Sequence, residues 1–136
     1  MIAPADMVIS TGCVGYVTED TFARILDLTD AFPGPPPWIA SFVLRMFPYD
    51  QIALTMTDHC LVTEKLEGVT FIQRRFADEA EQNDVLKRLD SLGIDPTGLE
   101  ADGHFHAELY LSRPRDEAAP LPLPALIPAE ALAHGA

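Results

Sequence analysis

Asp6-Met-Val-Ile-Ser-Thr-Gly-Cys-Val-Gly-Tyr-Val-Thr-Glu-Asp-Thr-Phe-Ala-Arg-Ile-Leu26 is the stretch that sets the fold class. Met7-Val-Ile9 is a short apolar run rich in β-branched residues, bounded by Asp6 and Ser10, as in a buried strand of a parallel sheet. Gly12 and Gly15 then bracket a loop. Thr18 is a good helix N-cap, and Glu19 and Asp20 put negative charge in the first turn, where the helix dipole favours it. Phe22, Ile25, Leu26 and Phe32 give the following helix one apolar face. The unit is therefore strand, Gly-punctuated loop and amphipathic helix. In open α/β sheets ligands bind where a strand's carboxyl end passes into such a loop.

Working outward, Pro33-Gly-Pro-Pro-Pro37 ends the helix. Trp38 to Met46 is nearly continuous in apolar character and predicts a central strand buried on both faces. Pro48 opens the next helix, with Ile52, Ala53, Met56 and Cys60 on its apolar side. Glu67-Gly68 is a turn and Val69-Thr-Phe-Ile72 a third strand. Ala77 to Leu92 reads as a charged helix turning Val85, Leu86, Leu89 and Leu92 inward and closed by Gly93. Phe105, Ala107, Leu109 and Leu111 alternate with His104, His106, Glu108 and Tyr110, the period of a last strand with one wetter face. The expected order is β-α-β-α-β-α-β. That alternation implies an α/β domain with a mainly parallel sheet covered by helices.

The character changes after Pro114. Pro114, Pro120, Pro122, Pro124 and Pro128 are five of the chain's twelve prolines, mixed with Ala and Leu and without a period. Residues 115–136 are expected to be a Pro/Ala-rich disordered tail behind a domain of residues 1–114.

Composition narrows the partners. Nine Lys and Arg against 21 Asp and Glu give a net charge of −12, which argues against nucleic acid and anionic membrane surfaces. Cys13 and Cys60 form no metal-binding spacing and fit reduced thiols. The first residues are not those of a secretory signal, and no stretch approaches the ~20 apolar residues of a transmembrane helix. The chain reads as cytoplasmic.

The Asp6–Leu26 segment resembles the fourth strand and following helix of class I S-adenosylmethionine-dependent methyltransferases. Pro37 to Met46 resembles the fifth strand of that family. Val69 to Gln73 and His104 to Ser112 resemble its sixth and seventh strands, the seventh running antiparallel. The resemblance covers Ala5 to Arg113 and implies part of a Rossmann-like three-layer sheet. It implies a transferase whose cofactor is S-adenosylmethionine and whose substrate is a small-molecule methyl acceptor. It places Ser10, Thr11, Gly12, Cys13, Gly15 and Tyr16 at the cofactor. The family's Gly-rich loop and ribose-binding acid have no match, since Gly12-Cys-Val-Gly15 has the wrong spacing and follows the wrong strand. The chain is then expected to be the C-terminal portion of such an enzyme, inactive alone. It would be completed at its first strand by an N-terminal half or a second copy. The competing reading is a non-catalytic α/β interaction domain completed by a partner or by self-association through its open first strand.

Other residues carry chemistry of their own. Arg45 and Tyr49 leave the second strand toward the same crevice. An arginine there could grip an acceptor's carboxylate. A surface ion pair between Arg45 and Asp50 is the plainer alternative. His104, His106 and Glu108 share one strand face, a zinc-like spacing without obvious further ligands, so a half-exposed polar face is favoured. Cys13 could act as a nucleophile near a helix start, but a small buried residue is the simpler reading.

Overall fold

The computed structural model describes residues 7–11, 18–29, 34 and 36–126. In chain order they form β1 (Met7–Thr11), α1 (Glu19–Thr29), β2 (Trp38–Leu44), α2 (Asp50–Asp58), β3 (Leu61–Lys65), β4 (Phe71–Arg75) and α3 (Glu79–Ser91). A short 3-10 turn (Glu100–Asp102), β5 (His104–Pro114), α4 (Arg115–Ala118) and α5 (Leu123–Leu126) follow. The architecture is α/β with a mixed, open five-stranded sheet.

The sheet runs β1-β2-β5-β3, with β4 also on β5. β1 and β2 are parallel, while β5 is antiparallel to β2, β3 and β4. β1 to β4 therefore run one way and β5 runs against them. β3 and β4 lie end to end along the eleven-residue β5, opposite Tyr110–Pro114 and His104–Ala107 respectively. Gly68, with φ 76°, supplies the left-handed conformation of the break between them.

Alternation along β2 divides the core. Ile39 and Val43 pack with Phe22 and Leu26 of α1 and Ile52 and Met56 of α2. On the opposite face, Met46 and Phe105 pack with Val85 and Leu89 of α3. Further along that face, Leu66, Leu109 and Leu111 receive Leu123 of α5. Helices thus cover both faces of β5.

Several expectations are corrected. Leu61–Lys65 is a strand that the apolar periodicity did not separate from the preceding helix, so the order is β-α-β-α-β-β-α-β rather than β-α-β-α-β-α-β. Cys60 is not on the apolar side of α2. The helix ends at Asp58, and Cys60 takes φ 66° in the turn and is exposed. β2 is not buried equally on both faces, because α3 and α5 lie over β5 and its neighbours. Trp38, Ala40, Phe42 and Leu44 remain half-buried. α3 begins at Glu79 rather than Ala77, because the Asp78 carboxylate accepts from the Glu81 amide at 2.8 Å and caps it.

The first part of the expected tail has structure. α4 and α5 return over the sheet, and three polar contacts hold them. Trp38 Nε1 donates to Glu117 at 3.0 Å, the Leu123 amide donates to Glu64 at 2.9 Å, and Arg113 donates to the Leu121 carbonyl. Proline density hid this, since the segment docks through isolated side chains and not through a periodic face. Residues 127–136 lie outside the described residues.

Candidate functional site

β1, β2 and β4 point their carboxyl ends toward one edge of the sheet, where the general rule for α/β sheets puts ligands. A cleft of roughly 510 Å³ lies there, lined by Leu44, Met46, Phe47, Gln73, Arg74, Glu81 and Phe105. That volume suits a small molecule. Each lining residue has a local reason to be there. Leu44 ends β2, and Met46 and Phe47 follow in the turn before α2. Gln73 and Arg74 close β4, Phe105 opens β5, and Glu81 sits in the capped first turn of α3.

Charge is arranged around apolar walls. The Arg74 guanidinium lies 4.6 Å above the Phe105 ring centre and donates to Glu81 at 2.9 and 3.3 Å. These Arg74 bonds, with the Ala77 amide, hold the Glu81 carboxyl below its ordinary pKa. Arg88 stands 5.3 Å from the centre of the Phe47 ring. Two aromatic rings of the lining, Phe47 and Phe105, are thus each faced by an arginine. The cleft offers apolar and stacking contact with an ionic rim. Among the described residues its lining contains no cysteine, serine or histidine to act as a nucleophile–base pair.

Arg45 and Tyr49, expected to meet an acceptor, are engaged by the protein itself. Arg45 donates through Nε and Nη2 to the two oxygens of Glu100, at 2.9 and 2.6 Å, and to the Asp95 carbonyl at 2.8 Å. Its bond to Glu100 raises its pKa against the opposing effect of burial. The partner is thus Glu100, with a side chain only 2% exposed, and not Asp50. The pair ties the loop before β5 to the end of β2. Tyr49 is buried, its ring stacked 4.4 Å from that of Tyr110 and its hydroxyl 3.0 Å from Ser41 Oγ. Burial raises its pKa. It belongs to the core under α2.

Among the residues expected at the cofactor, the structure describes Ser10 and Thr11. Gly12, Cys13, Gly15 and Tyr16 lie outside the described residues. Ser10 is buried and its Oγ has no hydrogen-bond partner, while Thr11 is exposed. Ser10 is thus one buried hydroxyl at the carboxyl end of β1, able to serve a ligand.

The histidines do not converge. His106 Nδ1 lies 3.0 Å from the Thr70 hydroxyl, and burial pushes its pKa down. His59 joins the Thr55 carbonyl at 3.0 Å and Asp27 at 3.1 Å, at the end of α2. Among the described residues no group of three His, Cys, Asp or Glu could hold a metal ion, and no helix is long and apolar enough to cross a membrane.

Periodicity did not reveal the cleft residues Phe47, Gln73 and Phe105, because they come from three elements and meet only through the β2–β5–β4 pairing. Arg74 was legible as a cation leaving a strand. Glu100 carried no signal, being one acid among several in a stretch read as loop. No protein-family model matches the chain, and neither does any curated protein or solved structure.

Proposed function

We propose that this chain is the C-terminal portion of a class I S-adenosylmethionine-dependent methyltransferase, inactive alone, with the aromatic cleft as the place for its small-molecule acceptor. The observation that carries this reading is the sheet. β1, β2 and the β3–β4 row run the same way, and a long final strand, β5, is inserted antiparallel between β2 and the β3–β4 row. An antiparallel final strand is what the resemblance implies. A cleft at the strands' carboxyl ends adds support.

In such a reaction the methyl group moves by in-line displacement from a sulfonium, and the protein chiefly holds and orients the two reactants. The cofactor supplies the methyl group. This chain's part is to place the acceptor against Phe47 and Phe105 and to keep water from it. Arg74 and Glu81 orient its polar substituents.

The test is titration calorimetry with S-adenosylmethionine, on the chain alone and co-expressed with whatever polypeptide is encoded directly upstream of Met1. The chain alone should bind weakly or not at all. Micromolar affinity, about −8 kcal/mol, would misplace the cofactor site. An upstream segment with a strand, a Gly-rich loop and an acid should restore binding. A co-expressed pair that carries those features and still binds nothing would sink the proposal.

The second reading, a non-catalytic interaction domain, is favoured by one observation of its own. Among the described residues β1 is the last strand on its side of the sheet, and Met7 and Ile9 are exposed.

A further inference from the structure

Leu61, Val62 and Thr63 of β3 line a groove of roughly 460 Å³ together with Ala53, Leu54 and Thr57 of α2. Successive side chains of a strand point to opposite faces of its sheet. Three in a row can border one space only from the strand's edge. One edge of β3 is taken by β5, so the groove runs along the other. The hydrogen bonds agree. The Leu66 amide donates to the Leu109 carbonyl at 2.9 Å, continuing the register in which Lys65 stands opposite Tyr110. In an antiparallel ladder only alternate residues bond the partner strand. Leu61, Thr63 and Lys65 therefore turn their amide and carbonyl groups outward, and no turn or loop bond among the described residues takes them up. Such groups are a template for another strand.

The wall opposite this edge is apolar, and its Leu54 is 59% exposed. Charge marks the two ends of the groove. Arg115 follows Pro114, which stands opposite Leu61, so it borders the groove at the start of β3. α2 leads into β3 through the turn at His59 and Cys60, so Asp50, at the far end of α2, borders the groove toward the other end. Among the described residues neither Arg115 nor Asp50 is in an ion pair. A second cavity of roughly 550 Å³ shares Thr57, Leu61 and Arg115 with the first and continues past them to Pro36 and Pro114.

We propose that this groove binds an extended peptide segment of a partner protein, added to β3 as a further strand. The groove shares no residue with the aromatic cleft, and the inference does not depend on the methyl-transfer reading. Leu61 and Thr63 supply main-chain bonds, and alternate apolar side chains of the segment pack on Ala53, Leu54 and Leu61. An acidic side chain of the segment meets Arg115 and a basic one meets Asp50. The acid is internal to the segment and not a chain end, because the second cavity leads onward from Arg115. The net charge of −12 draws a partner that is basic as a whole and repels a second copy of this chain.

Selection of phage-displayed random decapeptides on the full chain tests this, followed by fluorescence polarisation with the peptides selected. Those peptides should alternate apolar residues and carry one acid and one base at a fixed separation. Arg115→Glu should replace the selected acid by a base, and Asp50→Lys the selected base by an acid. Leu54→Asp should weaken binding about tenfold or more. Thr63→Pro, which removes an outward amide, should abolish it. Leu92→Asp, at an exposed leucine following α3, should leave it unchanged. Asp50, Leu54 and Arg115 are exposed, so their variants keep the test valid if Thr63→Pro folds poorly. A library that yields no binder overturns the inference, and so does a consensus that ignores both charge reversals. A dimer in sedimentation velocity that Leu54→Asp dissolves would assign the groove to a second copy and overturn it as well.

Discussion

The two sides of the sheet use the same strand alternation and are finished differently. Around β5, helices pack on both faces and each end is tied by a buried arginine–glutamate pair. Arg45 meets Glu100 at one end, and Arg113, with a fully buried side chain, meets Glu64 at 2.8 Å at the other. Around β1, α1 covers one face, the other leaves Met7 and Ile9 exposed, and Ser10 Oγ is buried without a partner. Stability is thus concentrated at β5, and apolar surface remains where the sheet ends. Each side leaves one buried polar atom without a partner, Ser10 Oγ on β1 and Arg113 Nη1 on β5, so the contrast lies in the exposed apolar surface of Met7 and Ile9.

The sharpest way to break this contrast is Glu100→Ala. It leaves the guanidinium of Arg45 in a largely buried place without its bidentate carboxylate partner, and removing one member of such a pair costs about 3 kcal/mol. Urea denaturation should show that loss. A change below about 1 kcal/mol would mean that water replaces the carboxylate and that the loop is not a structural tie.

Next in size is a matched pair of substitutions. Leu123→Ala removes a fully buried side chain from the α5 cluster and should cost about 2–3 kcal/mol. Ile9→Ala trims an exposed side chain at the other side and should change monomer stability by less than about 0.5 kcal/mol. If the two cost the same, α5 is no part of the core and the division of the sheet fails. By the same logic, removing the chain from Arg115 onward should destabilise the domain, because Leu123 packs on the sheet.

The smallest effect is a pH dependence located at β5. Burial holds His106 below its ordinary pKa of 6.5, so the folded state prefers the neutral ring and the unfolded chain binds the proton more readily. Stability is therefore full above about pH 6.5 and declines as pH falls through and below that value. Glu100 and Asp102 oppose the downward shift, while Arg45 and His104 reinforce it. Glu64 acts in the same direction only at lower pH. Burial pushes its pKa up, but the Leu123 amide and Arg113 together hold it below 4.5. Denaturation midpoints at several pH values down to 5.5 should fall for the native chain and flatten for His106→Gln. Equal slopes would place the titration elsewhere.

How much of this was legible can be judged residue by residue. The start of α1 at Glu19, the Leu26 and Val43 faces and the Gly93 stop follow local rules, and local rules are written in order along the chain. The boundary at Cys60 was not legible. Helix and strand periods ran together across Asp58 to Leu61, and only pairing with Pro114 and Arg113 made Leu61 and Val62 a strand. Among the site residues, Arg45 follows the end of β2 and Tyr49 precedes α2. Their partners were not visible, because Glu100 and Tyr110 lie 55 and 61 positions away.

The sequence by itself determined the α/β class, the acid charge, three helix positions and the apolar faces, because each depends on spacing within a few residues. Tertiary structure decided that β3 and β4 share one neighbour, that prolines 120 to 124 lead a helix back onto the sheet, that Arg45 and Arg113 pair with Glu100 and Glu64, and that Phe47 and Phe105 line one cleft. Those outcomes depend on which strand lies beside which. That choice is made by long-range burial and hydrogen bonding, which no local pattern records.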